Sequence, residues 1–214
     1  MPDILYSDNH LLFLDKPGGL LTQPSGTERD SLESQAKEWI KRECGKPGNV
    51  FLEAVHRIDA PACGVVLFAR TGKALSRLTA AVREGRCRKE YRLLVEGTPP
   101  SENGTLENWL CHDSRFTRVT PPHAPGARLA TLSYTLLERR ADGLSLIGVL
   151  LESGRYHQIR AQFAHIGCPV AGDSKYGSTH VWRRGAIALQ HYRLTIEHPV
   201  THESLTVTSR ILLS

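Results

Sequence analysis

Apolar residues fall along this chain in two periods. Leu11-Leu12-Phe13-Leu14 and Val65-Val66-Leu67-Phe68 are continuous runs next to turn-forming residues, Lys16-Pro17-Gly18-Gly19 after the first and Pro61 and Gly64 before the second. The first reads as a strand ending in a turn and the second as a fully buried strand. Helical spacing follows Asp30-Ser31, where Leu32, Ala36, Trp39 and Ile40 recur until Gly45 and Pro47 interrupt the pattern. It returns after Thr71-Gly72, with Leu75, Leu78 and Val82 on one face and Lys73, Arg77 and Arg83 toward water. A third helix is predicted after Gly154, anchored by Ile159, Phe163 and Ile166, presenting His157, Arg160 and Ala164 on its other side, and ended by Gly167 and Pro169. Further strands are expected at Tyr91–Val95, Ile187–Ile196 and Leu205–Leu213, the last from alternation of Leu205, Val207, Ile211 and Leu213. Ala127–Leu137 and Leu144–Leu151 flank Ala141-Asp142-Gly143, whose Asp-Gly pair predicts a hairpin. Residues 99–126 are rich in Pro, Gly, Asn and His and read as loop or irregular strand.

Many strands, few helices and hairpin connections indicate an α+β fold on a large, mainly antiparallel sheet. There is no repeat or low-complexity linker in the 214 residues, so residues 1–214 are expected to form one domain. No run approaches the roughly 20 apolar residues of a membrane helix, and the first residues lack a signal-peptide layout. A cytoplasmic protein without membrane contact is therefore expected. The odd count of five cysteines suits a reducing compartment, and no ligand spacing points to a metal. The net charge of +5 permits a polyanionic partner. Between Arg70 and Arg92 eight basic residues (Arg70, Lys73, Arg77, Arg83, Arg86, Arg88, Lys89, Arg92) face two acids, Glu84 and Glu90. This stretch reads equally well as a phosphate-tracking surface or as a solvated helix face with a basic turn.

Chemistry concentrates in Val55-His56-Arg57-Ile58-Asp59-Ala60-Pro61-Ala62-Cys63-Gly64, a polar turn before a buried strand. Taken alone, Asp59 could simply start a turn. Four other segments occur in order with it: Leu14-Asp15-Lys16-Pro17-Gly18-Gly19-Leu20, Arg88-Lys89-Glu90-Tyr91-Arg92-Leu93-Leu94-Val95, Ser153-Gly154-Arg155-Tyr156-His157-Gln158-Ile159-Arg160 and Gly172-Asp173-Ser174-Lys175-Tyr176-Gly177. The ordered set, from about Ile4 to Leu213, resembles the RluA-type pseudouridine synthases, which isomerise uridine in structured RNA.

The resemblance implies a pseudouridine-synthase-like sheet, mixed and mainly antiparallel, in two halves flanked by helices and loops, with a central active cleft. It leaves no room before Asp15-Lys16-Pro17 for the N-terminal RNA-binding module many relatives carry. It makes Asp59 the essential carboxylate, Arg160 its charge partner, Tyr91 the ring stacked on a flipped base and Leu189 an apolar pocket residue. Substrate contacts are expected from His56, Arg57, Lys89, Arg155, His157 and Gln158, with His56 also bracing its loop. No metal or nucleotide cofactor is implied, and the partner is a ribosomal or transfer RNA stem-loop met by a monomer. The chain departs from the family pattern at Ala62-Cys63 and at Gln190-His191. Two rival readings are an RNA-binding module without activity and a small-molecule hydrolase using Cys63 or Asp59.

Overall fold

The computed structural model describes residues 1–26, 30–43, 45, 48–113 and 116–213. Its elements in chain order are β1 (Asp3–Ser7), β2 (Leu11–Lys16), α1 (Leu32–Glu43), β3 (Glu53–Ala54), β4 (Cys63–Ala69), α2 (Gly72–Arg83), β5 (Arg88–Glu96), β6 (Asn103–His112), β7 (Thr117–Thr120), β8 (Arg128–Arg139), β9 (Leu144–Leu151), α3 (Gln158–His165), a 3₁₀ turn at Ser174–Tyr176, β10 (Leu189–Glu197) and β11 (Ser204–Thr208). The class is α+β, as expected. Every strand pair whose register is given below is antiparallel. The chain divides into two compact units, one of Met1–Arg88 with His191–Leu212, the other of Lys89–Gln190 with the last two residues.

In the first unit the strands run β1-β2-β4-β10, with β3 on β4 and β11 on β10. All of β2 and β4 is buried, and the reason lies in the alternation of a strand's side chains. Leu11, Phe13, Val65 and Leu67 face one way, packing with Ala74 and Leu78 of α2 and with Leu194 and Ile196. Leu12, Leu14, Val66 and Phe68 face the other, against Leu32, Ala36 and Ile40 of α1. A continuous apolar run is what a sheet covered on both faces requires. Thr71 caps α2 by accepting the Ala74 N–H at 3.2 Å. Pro47, expected to help stop α1, lies outside the described residues.

In the second unit the order is β5-β9-β8-β6-β7. The Asp-Gly hairpin joins β8 to β9 as expected. Two expectations are corrected there. Residues 99–126, expected as loop or irregular strand, contain the regular strands β6 and β7. The third helix begins only at Gln158, and Gln158–Phe163 are all buried, so it has no solvent face over its first six residues. Ile166, expected among its anchors, is the half-buried C-cap. In the first unit the strand expected over Leu205–Leu213 stops at Thr208. Beyond it the chain is held by Asp15, to whose Oδ1 the Ser209 hydroxyl donates at 2.7 Å and to whose Oδ2 the Arg210 N–H donates at 2.6 Å. Glu96, at the end of β5, anchors the segment after the 3₁₀ turn by accepting from Ser178 Oγ, Thr179 N (2.8 Å), Thr179 Oγ1 (3.1 Å) and His180 N (2.8 Å). Burial opposes the Glu96 charge, but these bonds outweigh it and hold its pKa below the usual value.

Candidate active-site residues and family

Asp59 sits half-buried on a turn closed by the Ala62 N–H donating to the Asp59 carbonyl at 3.0 Å. The turn is fixed from both sides by chain that is distant in sequence. The Thr22 hydroxyl donates to the Ile58 carbonyl at 3.0 Å and accepts the Ile58 N–H at 3.4 Å. The Gly19 N–H donates to the Ala60 carbonyl at 2.8 Å, and Lys16 Nζ reaches the same carbonyl at 3.0 Å. Lys16 also donates to the carbonyls of Leu20 (2.7 Å) and Pro17 (3.0 Å), so one ammonium ties the first motif to the carboxylate loop. His56 braces the loop by its ring, with Nε2 accepting the Leu67 N–H at 3.2 Å, and packs edge-on to His191 at 5.2 Å. Arg57 is exposed.

Lys16 is fully buried. Burial pushes its pKa down to about 8, with Cys63 and Asp59 pulling the other way. Between pH 8 and 10.5 the unfolded chain therefore keeps a proton that the folded one releases, so stability contributed by this group rises with pH across that window. The difference is worth about 3 kcal/mol. Denaturant unfolding at pH 7.5 and 10 is expected to show this rise in the parent protein and a rise smaller by about 2–3 kcal/mol in Lys16→Met. Equal pH dependence in the two proteins would place the titration elsewhere.

Gln190-His191, one of the departures from the family pattern, is buried, and His191 Nδ1 lies 2.7 Å from the Val65 carbonyl oxygen. The His191 backbone passes so close to Gly64 that a Cβ there would lie 2.3 Å from its carbonyl oxygen. Leu189 is buried at the start of β10.

In the second unit Tyr91 and Lys89 are half-buried on β5, opposite Val149 and Leu151, two residues apart and so on the same face. Arg160 is 4 % exposed. Its guanidinium forms a two-point pair with Asp173, Nε to Oδ2 at 2.6 Å and Nη2 to Oδ1 at 2.8 Å, and its Cζ lies 4.9 Å from the Tyr176 ring. The Asp173 partner was missed from sequence, though it stands in one of the quoted motifs. His157 is buried, with Nδ1 2.9 Å from the Tyr176 hydroxyl, which also accepts the Thr117 N–H at 2.9 Å. Burial, reinforced by the Arg160 and Lys175 charges, pushes the His157 pKa down to about 3. The ring is thus neutral and shares one hydrogen bond with the phenolic hydroxyl. Gln158 spends its amide internally, accepting from Ser153 Oγ (2.9 Å) and Arg155 N (3.0 Å) and donating to the Thr131 carbonyl (3.1 Å). Arg155 is exposed.

The basic stretch is only partly available to a partner. Arg70 donates to Ser7 Oγ and the Asp8 carbonyl, Arg77 to the Pro199 carbonyl, and Arg86 pairs with Glu84. Lys73, Arg83 and Arg88 are exposed. Among the described residues no group of three His, Cys, Asp or Glu could hold a metal ion, and no helix is long and apolar enough to cross a membrane.

A family model described as RNA pseudouridylate synthase matches residues 10–165. An uncharacterized RNA pseudouridine synthase of Bacillus subtilis is 30 % identical over 204 residues, covering 94 % of this chain, which spans 66 % of that relative's length. The dual-specificity RNA pseudouridine synthase RluA of Haemophilus influenzae is 30 % identical over 212 residues, covering 97 % of this chain and 92 % of its own. Among solved structures, human RNA pseudouridylate synthase domain containing 4 has the same fold, with a TM-score of 0.81 at 18 % identity over 98 % of this chain and 88 % of its own. With Asp59, Tyr91 and Arg160 all inside the matched span, the chain belongs to the RNA pseudouridylate synthase family.

Proposed function

We propose that the protein isomerises specific uridines in ribosomal or transfer RNA to pseudouridine, with Asp59 as the essential carboxylate. The observation that carries this reading is the Asp59 turn, held by Thr22, Gly19 and Lys16, within a chain of this family. The reaction breaks the bond from N1 to C1′, turns the base, joins C5 to C1′ and removes the C5 proton. No electron or phosphoryl group is exchanged, so a carboxylate and a proton acceptor suffice. Tyr91 supplies a ring for the extruded base and a hydroxyl near its edge, and Leu189 an apolar pocket wall. Arg160 supplies a positive charge that keeps the carboxylate ionised. Arg57 and Lys89 grip the RNA next to the target. The two-point bond to Asp173 supports a fixed rather than a roaming guanidinium in that role.

The test is Asp59→Asn, assayed on unmodified ribosomal and transfer RNA by tritium release from C5-labelled uridine and by mapping of pseudouridine after chemical marking. Product formation is expected to fall on the order of 10²–10⁴-fold or more while RNA binding persists. Turnover near the parent rate would remove Asp59 from the mechanism. Absence of product from the parent protein on every RNA would favour a binding module instead.

A further inference from the structure

The second unit holds an open cavity of about 290 Å³ whose lining includes none of Asp59, Tyr91, Arg160 and Leu189. Leu110 and Thr117, both buried, are among its lining residues, as are His112, Arg128, Arg155 and the exposed Tyr156. Its walls are cross-tied by hydrogen bonds and ring contacts. The Thr117 hydroxyl donates to the Tyr156 carbonyl at 2.8 Å, and the Tyr156 ring lies stacked on His157 at 3.8 Å with 18° between the planes. His157 is itself held by Tyr176. The His112 ring sits 4.2 Å from that of Tyr156 and is tied by Nδ1 to the Phe116 carbonyl at 3.0 Å. Arg155 Nε donates to the Leu129 carbonyl at 3.1 Å, which fixes one edge of its guanidinium and leaves the terminal nitrogens for another partner. Among the described residues neither Arg128 nor Arg155 pairs with an acid, and no Asp or Glu lines the cavity.

Two uncompensated guanidiniums beside a packed aromatic cluster in a concave, acid-free site match the chemistry of a nucleotide in single-stranded or looped RNA, with its phosphate on the arginines and its base or ribose against the exposed edge of the Tyr156 ring, whose faces are taken by His157 and His112. We infer that this cavity binds a nucleotide of the substrate RNA other than the uridine that is isomerised. The inference rests on the proposed function and deepens it, for it makes Arg128, Tyr156 and His112 determinants of which RNA is accepted. It also gives a purpose to β6, β7 and the turn that follows, which supply Leu110, His112, Thr117 and Gly126.

The experiment measures binding of fluorescently labelled, unmodified transfer RNA and of a large-subunit ribosomal stem-loop across a salt series, with KM and kcat on the same RNAs. Arg128→Ala is expected to raise Kd about tenfold and to lower the slope of log K against log salt by about 1, with the loss appearing in KM more than in kcat. Arg128→Lys should restore most of the salt slope. Tyr156→Leu is expected to raise Kd about five- to tenfold with the salt slope retained. Arg42→Ala, an exposed arginine on α1, is the control for total charge and should leave Kd within about twofold. The inference is overturned if Arg128→Ala and Tyr156→Leu both keep the parent Kd, if their losses lie in kcat alone, or if Arg42→Ala weakens binding equally. Product formed by Asp59→Asn would instead overturn the catalytic assignment and leave these binding results standing.

Discussion

Asp173→Ala is expected to destabilise the protein by about 3–5 kcal/mol, because it removes the two-point partner of a guanidinium that is only 4 % exposed. Arg160 would still face the Tyr176 ring at 4.9 Å, a contact worth no more than about 2 kcal/mol. A cation–π contact is weaker than the two charge-assisted hydrogen bonds that are lost. The double variant Asp173→Ala, Arg160→Met should be more stable than the Asp173→Ala single variant, since the remaining charge is then gone as well. Chemical unfolding of the four proteins closes the cycle, and a coupling below about 0.5 kcal/mol would mean that the pair carries no stability. Arg160→Lys isolates geometry from charge, because an ammonium cannot make the planar two-point contact. Activity should fall in every one of these variants if the proposed role of Arg160 holds.

Gly64→Ala is expected to cost about 2–6 kcal/mol, from backbone strain of about 1–3 and overpacking of about 1–3. Gly64 has φ of +112°, and the added methyl would lie 2.3 Å from the His191 carbonyl oxygen and 2.7 Å from its nitrogen. Both obstacles are backbone, so no side-chain rotation relieves the clash. Gly72→Ala is the matched comparison. A Cβ there meets nothing within 4 Å at the start of α2, and stability should hold or rise by about 0.5–1 kcal/mol. Gly64→Ala melting within a few degrees of the parent would mean that the contact with His191 yields easily.

Much of this was legible from the chain, and what was missed has identifiable causes. The runs at Leu11–Leu14 and Val65–Phe68 announced strands, the second of them fully buried, and α1 and α2 cover both on their two faces. The β6 strand stayed hidden because its inward positions include Gly104 and Asn108. Gly104 is small because the Tyr134 ring lies where its side chain would be, and Asn108 accepts the Gln162 amide at 2.8 Å. An alternation carried by close approach and hydrogen bonding leaves no trace in hydrophobicity. The same holds for Lys16 and Asp173. Lys16 looked like the start of a turn and is instead the last residue of β2 and a buried tie to three carbonyls. The Asp173 carboxylate binds a side chain 13 positions earlier, a pairing that no periodicity encodes.

The first unit is assembled from residues 1–88 and 191–212, and this discontinuity bears on how the protein is made. Its sheet needs β10 beside β4, and its second strand needs Ser209 to bind Asp15. The second unit, all but its last two residues one stretch from Lys89 to Gln190, can close soon after that stretch leaves the ribosome, at roughly 5–20 residues per second. For several seconds to about 20 s, then, β4 waits without β10 beside it while the second unit is being synthesised. A nascent chain of this design has most to gain from a holding chaperone between the synthesis of Arg88 and that of Ser209.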